Sequence, residues 1–542
     1  MSMSSEETPI SRLGDGEPLS RRDLLVRTGF LAGAVALGGP ASALSAPARA
    51  ARRTSSSATT TLTWALGQDP QYLIPMGANG LAIEATYYIY ESLLRWDKNL
   101  NMQPALAESW TTPAPTTLIF KLRKGVRFHS GKLLDAEDVK YSIEKAKSPP
   151  APAVSNGFFP PITKVTALDS HTVKVQTSHP AQDVLGFFAW SRYATIVPKG
   201  LYESVDVRTH TDGTGPFMLG EFIPNDHVTL ARNPHYWRKG IPAVDQLVLK
   251  ILPDEGSRLD ALRSGAIQGG SFSADSAKIA GSDSSLIVHK LRSGSPNELE
   301  FNLKDKTQPW SDVRVRQAVN HAIDRNDLIN KVFSGQAYFA GKILTGYGDW
   351  PIPQAQLQST YEKYDPKKAQ QLLAAAGHKD GFQVTLNSIA LPAVYTTVAT
   401  VIKSHLAKVG INVTVQPQDI GTFSANDGAG KFQWESTGRG MRGDVSEFFS
   451  DFNPAGSTYQ AWFAGGWNSP QLQTLLKQGI AETDHAKRRA IYRKAEAIVL
   501  TQWPEMPLVA PYSYLIVSNK VRGMQVFSLD VGWETGLDTA TV

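Results

Sequence analysis

Patterns typical of strands and patterns typical of helices alternate along this chain. Apolar residues recur at every second position in short segments that end near Gly, Pro or Asp, which predicts strands. These segments lie at residues 118–122, 173–175, 247–251, 384–386 and 411–415. Helical patterns separate them, so the sequence predicts a mixed α/β fold and not a segregated one.

Three predicted helices support this assignment. Asp135 precedes acidic residues and then an apolar pattern, which is typical of a helix start whose dipole favours negative charge. Asp365 and Pro366 open another helix as N-cap and first helical residue, and Gly377 ends it. A third helix is predicted at residues 315–323, where apolar residues recur at helical spacing.

The composition excludes several kinds of chemistry. The chain has 542 residues and no cysteine. It is long enough for roughly three domains. Disulfides, thiol nucleophiles, thiolate metal sites and a lipid-modified cysteine anchor are all excluded. Any chemistry must therefore use oxygen and nitrogen groups.

The charges argue against a nucleic-acid partner. The chain has 55 Lys and Arg against 50 Asp and Glu, a formal charge of +5. These charges are interspersed and form no long basic run, whereas a nucleic-acid binder usually gathers basic residues on one surface. We therefore predict no nucleic-acid partner.

The amino terminus has the layout of a twin-arginine export signal. Arg21 and Arg22 precede a short apolar stretch at 29–39 and small-residue cleavage motifs before residue 51. The stretch is too short for a membrane span, which needs about 20 residues. We predict a signal at residues 1–50, a flexible linker at 51–61 and a soluble periplasmic protein. The alternative is a disordered tail with a chance Arg pair.

Familiar catalytic motifs are absent from the sequence. It contains neither GxSxG nor HExxH, and its 11 histidines lack metal-ligand spacing. Residues 427–431 resemble a phosphate loop, and residues 213–215 a dinucleotide motif, but both lack required positions. We predict a protein that is not an enzyme, with no catalytic residue, no metal and no cofactor. The 12 Trp, 17 Tyr and 21 Phe instead include residues able to line a ligand cleft.

Several segments together resemble the family 5 extracellular solute-binding proteins, the peptide, dipeptide and nickel-binding components of ABC importers. Three of them lie close together, at 104–110 (PALAESW), 120–131 (FKLRKGVRFHSG) and 135–139 (DAEDV). Others lie at 90–94 (YESLL), 213–217 (GTGPF), 232–237 (RNPHYW), 301–303 (FNL), 312–318 (DVRVRQA) and 322–325 (AIDR). The resemblance extends from residue 62 to the end of the chain.

The resemblance implies a two-lobe periplasmic-binding-protein fold, often called a Venus flytrap, with an additional third domain. Lobe I would comprise residues 62–92, 212–293 and 516–542, the extra domain residues 93–211, and lobe II residues 294–515. A small molecule or peptide would bind between the lobes, and hinge closure would bury it. A monomer would then deliver this ligand to the transmembrane subunits of an ABC permease.

One segment departs from the pattern of peptide-binding members. By resemblance, residues 437–448 should supply an aromatic face and an Asp for the peptide amine. Met441 occupies the Asp position, and Arg439 and Arg442 are present nearby. Arginine favours carboxylates and phosphates and repels an ammonium group. We therefore predict an anionic solute, such as a phosphorylated sugar, an opine-like conjugate, a chelate or an acidic peptide.

Two alternatives for this segment stay open. The arginines would pair with Asp444, Glu447 or Asp451 on a solvated loop, or a register shift would make Asp444 the amine ligand. Further pocket candidates are aromatic and have a core role as their alternative: Tyr88, Tyr90, Trp350, Trp434, Trp462 and Trp467. Other functions that the sequence leaves open are an exported hydrolase or chaperone on the same fold, and a chemosensory receptor that presents its ligand.

Overall fold

The structure is a computed structural model. It describes residues 59–76, 83–147, 162–180, 182–438, 444–452, 466–527, 529–530 and 536–542. The predicted export signal lies outside these residues. No helix within the described ranges is both long and apolar enough to cross a membrane.

Strands and helices alternate as the sequence predicts. The strands are β1 (Thr61–Leu66), β2 (Leu94–Trp96), β3 (Met102–Pro104), β4 (Ala107–Ala114), β5 (Thr117–Leu122), β6 (Ile162–Asp169), β7 (Thr172–Thr177), β8 (Phe217–Ile223), β9 (His227–Arg232), β10 (Gln246–Ile251), β11 (Gly269–Phe272), β12 (Leu286–Ser293), β13 (Asn297–Phe301), β14 (Ala337–Phe339), β15 (Phe382–Ile389), β16 (Ile411–Gln418), β17 (Trp434–Gly438), β18 (Glu505–Ser518) and β19 (Leu529–Asp530).

The helices lie between these strands. They are α1 (Ile83–Ile89), α2 (Ala136–Lys147), α3 (Gln182–Phe188), α4 (Ser191–Ala194), α5 (Leu201–Ser204), α6 (Glu255–Arg263), α7 (Ala274–Ala280), α8 (Val313–Ala322), α9 (Arg325–Phe333), α10 (Gln354–Gln356), α11 (Pro366–Ala375), α12 (Val394–Ala407), α13 (Ile420–Ala429), α14 (Pro470–Ala481) and α15 (His485–Gln502). Short 3₁₀ helices lie at Pro309–Ser311, Val445–Phe452 and Leu537–Thr539, and a π-helical turn at Leu357–Tyr361.

The local predictions are confirmed. All five predicted strands are present as β5, β7, β10, β15 and β16. Asp135 caps α2 by accepting hydrogen bonds from the amides of Glu137 and Asp138, at 2.9 and 3.1 Å. Asp365 caps α11 through the amide of Lys368, and Gly377 beyond its end has a φ of +87°. Local side-chain chemistry is sufficient to set these helix starts.

One strand, β18, belongs to both halves of the principal sheet. That sheet runs β16-β15-β17-β13-β18-β11-β1-β10-β9-β8, with β12 and β14 also paired to β18. The first part of β18 pairs with β13, where Leu299 is opposite Met506, and its last part pairs with β12, where Val288 is opposite Ile516. A second sheet has the order β4-β5-β7-β6, within the predicted extra domain.

A chain crossing near residues 213–215 depends on glycine. The Gly215 amide donates a 2.9 Å hydrogen bond to the Ile89 carbonyl. A Cβ at Gly215 would overlap the Tyr88 carbonyl and lie 2.6 Å from the Ile89 carbonyl carbon. The His129 ring also donates to the Gly215 carbonyl, at 3.1 Å. The close approach of the two chain segments at Gly215 therefore excludes a side chain there, and the His129 ring contacts the same backbone.

We expect Gly215→Ala to destabilise the protein because backbone atoms, which cannot move aside easily, occupy the site of the new Cβ. Overpacking of this kind costs about 1–3 kcal/mol, so the midpoint of thermal unfolding should fall by about 1–3 °C in a chain of this length. Gly428→Ala is the matched control, since an added Cβ there meets no atom within 4 Å. An unchanged midpoint for Gly215→Ala would contradict the observed close approach.

Candidate functional site

The segment Val445–Phe452 follows the residues predicted to bind the solute. It is a 3₁₀ helix, and most of its side chains are buried. Each of its phenylalanines contacts an aromatic ring from another element. Phe448 lies 5.1 Å from Tyr347, Phe449 5.7 Å from Tyr492, and Phe452 5.2 Å from Trp467, between ring centroids. These contacts fix the end of the predicted binding segment against three other parts of the chain.

A buried ion pair fixes the beginning of this helix. Asp444 accepts two hydrogen bonds from the Arg488 guanidinium, at 2.9 and 2.7 Å, and both side chains are nine-tenths buried. Burial raises the pKa of Asp444, but the Arg488 charge and the hydrogen bonds from Arg488 and Ser446 offset this effect and lower the pKa overall. Asp444 is therefore held as a carboxylate by an internal partner, with which a solute amine would have to compete.

Trp350 lies beside the same ion pair. The Arg488 guanidinium is 5.5 Å from the Trp350 ring and 5.3 Å from the Tyr492 ring, a cation–π arrangement. Trp350 also contacts His485 edge to face, at 4.5 Å. The predicted pocket residues Trp350 and Asp444 thus share Arg488 as a neighbour.

Helix α15 positions the loop that carries Trp350. The carboxylate of Glu496 accepts hydrogen bonds from the amides of Ile343 and Ile352, at 3.1 and 2.8 Å. Burial raises the pKa of Glu496 to about 8. Arg493 donates to the carbonyls of Asp349 and Trp350. The loop is therefore held at both ends and in the middle by a single helix.

The predicted extra domain contacts the predicted lobe II at this place. Helix α3 packs against both α14 and the 3₁₀ helix Val445–Phe452. Phe187 and Phe188 of α3 belong to the same buried apolar cluster as Phe448 and Phe449. The candidate site therefore adjoins a continuous apolar contact between segments that are distant in sequence.

Tyr88 and Tyr90 lie at a different place. Both are almost completely buried and line a cavity of about 60 Å³. Tyr88 accepts a 3.3 Å hydrogen bond from the Leu537 amide, and Tyr90 donates to the Leu73 carbonyl. The described residues that line this cavity come from 87–238 and 525–539, so the structure does not bring these tyrosines to Asp444 or Trp350.

Sequence reasoning missed the role of Glu91, which follows Tyr90. Its half-buried carboxylate accepts hydrogen bonds from the Thr214 and Tyr236 hydroxyls and the Trp237 indole, at 2.9, 2.8 and 3.1 Å. Burial raises the pKa of Glu91, and these three donors partly offset that effect. All four residues lie within the family-like segments 90–94, 213–217 and 232–237. The presence of polar residues in three segments that match the same family is the sequence signal from which their contact could have been predicted.

The remaining predicted pocket residues divide into three groups. Trp434 is fully buried against Phe301 and Trp310, so its ring presents no accessible surface in this conformation. Trp467 is only partly buried, against Phe452. The others, Arg439, Met441, Arg442 and Trp462, lie outside the described residues.

Three buried carboxylates lie near one another in the predicted lobe II. Glu300, Asp427 and Glu435 can each place an oxygen within 4.8 Å of the others. Oxygen ligands of this kind suit hard cations. Neighbouring acidic groups also occur without a metal, so their spacing alone assigns no ion to the cluster.

We expect Arg488→Met to cost about 3–5 kcal/mol of unfolding free energy at neutral pH, because it leaves the buried Asp444 charge without its partner. The pKa of Asp444 is lower in the folded protein than the value of about 3.9 in the unfolded chain. The ion pair therefore stabilises the folded state fully at pH values above about 3.9, and this stabilisation is lost as the pH falls through the pKa of the folded state. The difference between wild type and variant should therefore shrink in acid, as measured by urea unfolding.

Arg489→Met is the matched control, since Arg489 pairs with Asp349 at the surface. A pair of this kind contributes about 0–1 kcal/mol. Equal losses in the two variants would show that the buried Asp444–Arg488 pair stabilises the fold no more than a surface pair does.

A family model described as bacterial extracellular solute-binding proteins, family 5 Middle, matches residues 101–463. The glutathione-binding protein GsiB of Shigella dysenteriae serotype 1 is 27% identical over 475 residues, which are 85% of this chain and 91% of that protein. GsiB of Escherichia coli K12 is 26% identical over the same length.

Solved structures are also similar. The binding protein AgaA of A. tumefacien R10, in complex with agropinic acid, has a TM-score of 0.73 and 25% identity, covering 89% of this chain and 98% of its own. DppA of Helicobacter pylori, in complex with the peptide STSA, has the same TM-score, identity and coverage. NikA of Brucella suis, at 22% identity and a TM-score of 0.75, supports the fold alone. These matches confirm the predicted α/β periplasmic-binding-protein fold.

Proposed function

The chain belongs to the bacterial extracellular solute-binding proteins of family 5, and from this premise we propose that it captures a small anionic or peptide-like solute between two lobes. Its family and its relatives make it a solute-binding component of an ABC importer. The resemblance noted in the sequence is thereby confirmed. The class of solute, the residues that bind it and the division into lobes belong to the proposal.

The observation that carries the anionic preference is the state of Asp444. Its two carboxylate oxygens bind Arg488, and the pair is buried. In the alternative alignment, Asp444 is the residue that binds the peptide amine. The ammonium group of the solute would then have to displace the Arg488 guanidinium from Asp444. Arg439 and Arg442 precede Asp444 by five and two positions, and their charge favours carboxylate or phosphate groups on the solute.

The ligands of two relatives are consistent with this class. AgaA binds agropinic acid, and GsiB is named for glutathione, a tripeptide that carries more carboxylate than ammonium groups. An acidic conjugate of either kind would suit an arginine-bearing segment. The aromatic residues Trp350, beside Arg488, and Trp467, against Phe452, would add apolar contact area.

The proposed mechanism is a shift between open and closed arrangements. A solute favours closure only through contacts that are made in the closed state and missing in the open one. The arginine segment of the predicted lobe II and residues of the opposite lobe would supply these contacts. The closed monomer would then present the solute to the permease, without covalent chemistry and without a cofactor. Transport would use ATP hydrolysed by other subunits.

We expect Arg439→Ala/Arg442→Ala to weaken the binding of an acidic solute by at least about tenfold, since hydrogen bonds to charged groups contribute about 1.5–3 kcal/mol. Isothermal titration calorimetry with glutathione, agropinic acid and the neutral peptide STSA measures this. Arg208→Ala is the charge-matched control, because Arg208 is exposed and pairs with Asp206 in the predicted extra domain. Unchanged affinity in the double variant would end the anion hypothesis while leaving solute binding intact.

Export by the twin-arginine pathway is a separate part of the proposal. We expect Arg21→Lys/Arg22→Lys to leave the precursor in the cytoplasm, since the pathway reads the arginine pair. Cell fractionation and immunoblotting of precursor and mature forms measure the outcome. Arg12→Lys, at an arginine upstream of the pair, is the control. Normal export of the double variant would contradict the twin-arginine assignment.

A further inference from the structure

A larger cavity lies within the predicted lobe II. Its volume is about 530 Å³, and every described residue that lines it falls between 302 and 433. The lining includes no described residue from the predicted lobe I, the predicted extra domain or the segment Val445–Phe452. We call it the amide pocket, because its wall includes the side chains of Asn387, Gln416, Gln418 and Asn426. It shares no described residue with the candidate solute site or with the cavity at Tyr88.

Two neighbouring strands supply the floor of the amide pocket. Asn387 of β15 and Gln416 of β16 are paired in parallel register, so their side chains share one face of the sheet. Thr385 lies two positions before Asn387, on the same face. The opposite face carries Val384 and Leu386, which belong to the apolar core. The sheet is thus apolar on one face and polar on the face that lines the pocket.

Asn387 is the informative residue. Its side chain is 4% exposed, lines the pocket and makes no hydrogen bond to any described residue. Neither atom of this amide is among the fully enclosed side-chain atoms that lack a partner, so both are reached from the pocket. An amide that makes no bond within the described protein and opens onto a cavity is available to a hydrogen-bonding molecule there.

The wall around Asn387 is held in place by internal hydrogen bonds. Gln418 accepts from the Asn426 amide at 3.3 Å, and the side chain of Gln433 accepts from the Thr385 backbone amide at 2.6 Å. The Asn302 amide donates to the carbonyls of Gly430 and Phe432, both at 2.9 Å. These bonds shape the pocket and leave the amides of Asn387 and Gln416 to a ligand.

The charge of the lining selects the class of ligand. Asp305 and Lys431 are the charged residues among its described members, and their charges cancel. The other polar members are amides and a hydroxyl, which offer donors and acceptors together without net charge. Phe432, which is partly exposed, adds apolar ring surface to the lining. The volume is also within the usual range for small-molecule sites, about 300–1,000 Å³.

We propose that the amide pocket is a second binding site, for a neutral hydroxyl-rich molecule such as a monosaccharide or a cyclic polyol. Hydroxyl groups donate and accept at once, which matches the paired amides of Asn387 and Gln416. The site does not depend on the interlobe solute, because the two share no described residue.

Titration calorimetry with D-glucose and myo-inositol on the mature protein tests this site. We expect at least one probe to bind in the millimolar range, and Asn387→Leu and Gln416→Ala each to weaken it by about tenfold. Gln416 is exposed, so its variant retains the fold if the Asn387 substitution does not. Asn412→Ala is the matched control, since Asn412 is an exposed amide on the same strand outside the pocket lining.

Three outcomes would overturn the proposal. The first is that neither probe binds the wild-type protein, in which case the pocket holds only water. The probe binds, but neither Asn387→Leu nor Gln416→Ala weakens it. The probe binds, and Arg439→Ala/Arg442→Ala removes it, which would place the sugar at the interlobe site. The interlobe proposal fails separately, by unchanged affinity for acidic solutes in that double variant.

Discussion

The architecture depends on a single long strand. Pairing of β18 with β13 at one end and with β12 and β11 at the other makes one polypeptide segment the common element of two half-sheets. Because this strand is hydrogen-bonded to both half-sheets, continuous backbone joins them to each other. Met506, near the start of β18, and Ile516, near its end, are both fully buried.

The segment Val445–Phe452 and the Trp350 loop form the candidate site, and contacts from several other parts of the chain hold them in place. Aromatic contacts, the Asp444–Arg488 pair and the Glu496 hydrogen bonds position Val445–Phe452 and the Trp350 loop. In the Asp444–Arg488 pair, the two charges neutralise each other inside the protein. A solute must therefore be recognised by groups that the scaffold does not already use, and Arg439 and Arg442 are our candidates for that role.

Local features of the fold could be predicted from the sequence, and distant pairings could not. The caps at Asp135 and Asp365 are formed with residues two or three positions away, so a short window contains both partners. Arg488 lies 44 positions from Asp444, and Tyr236 lies 145 from Glu91, so no local pattern reveals either contact. Aromatic content suggested a cleft but could not separate Trp434, in the core, from Trp350, beside the site, because burial depends on tertiary packing.

Native mass spectrometry of the protein, purified from its own host and compared before and after denaturation, tests solute capture most directly. The account predicts the release of one small acidic molecule per monomer, identified by its fragment masses. An intact mass that does not change on denaturation, together with no shift after incubation with glutathione, agropinic acid or STSA, would contradict it. If an added solute were converted to a new product, the protein would be an enzyme, and the account of solute capture would be wrong.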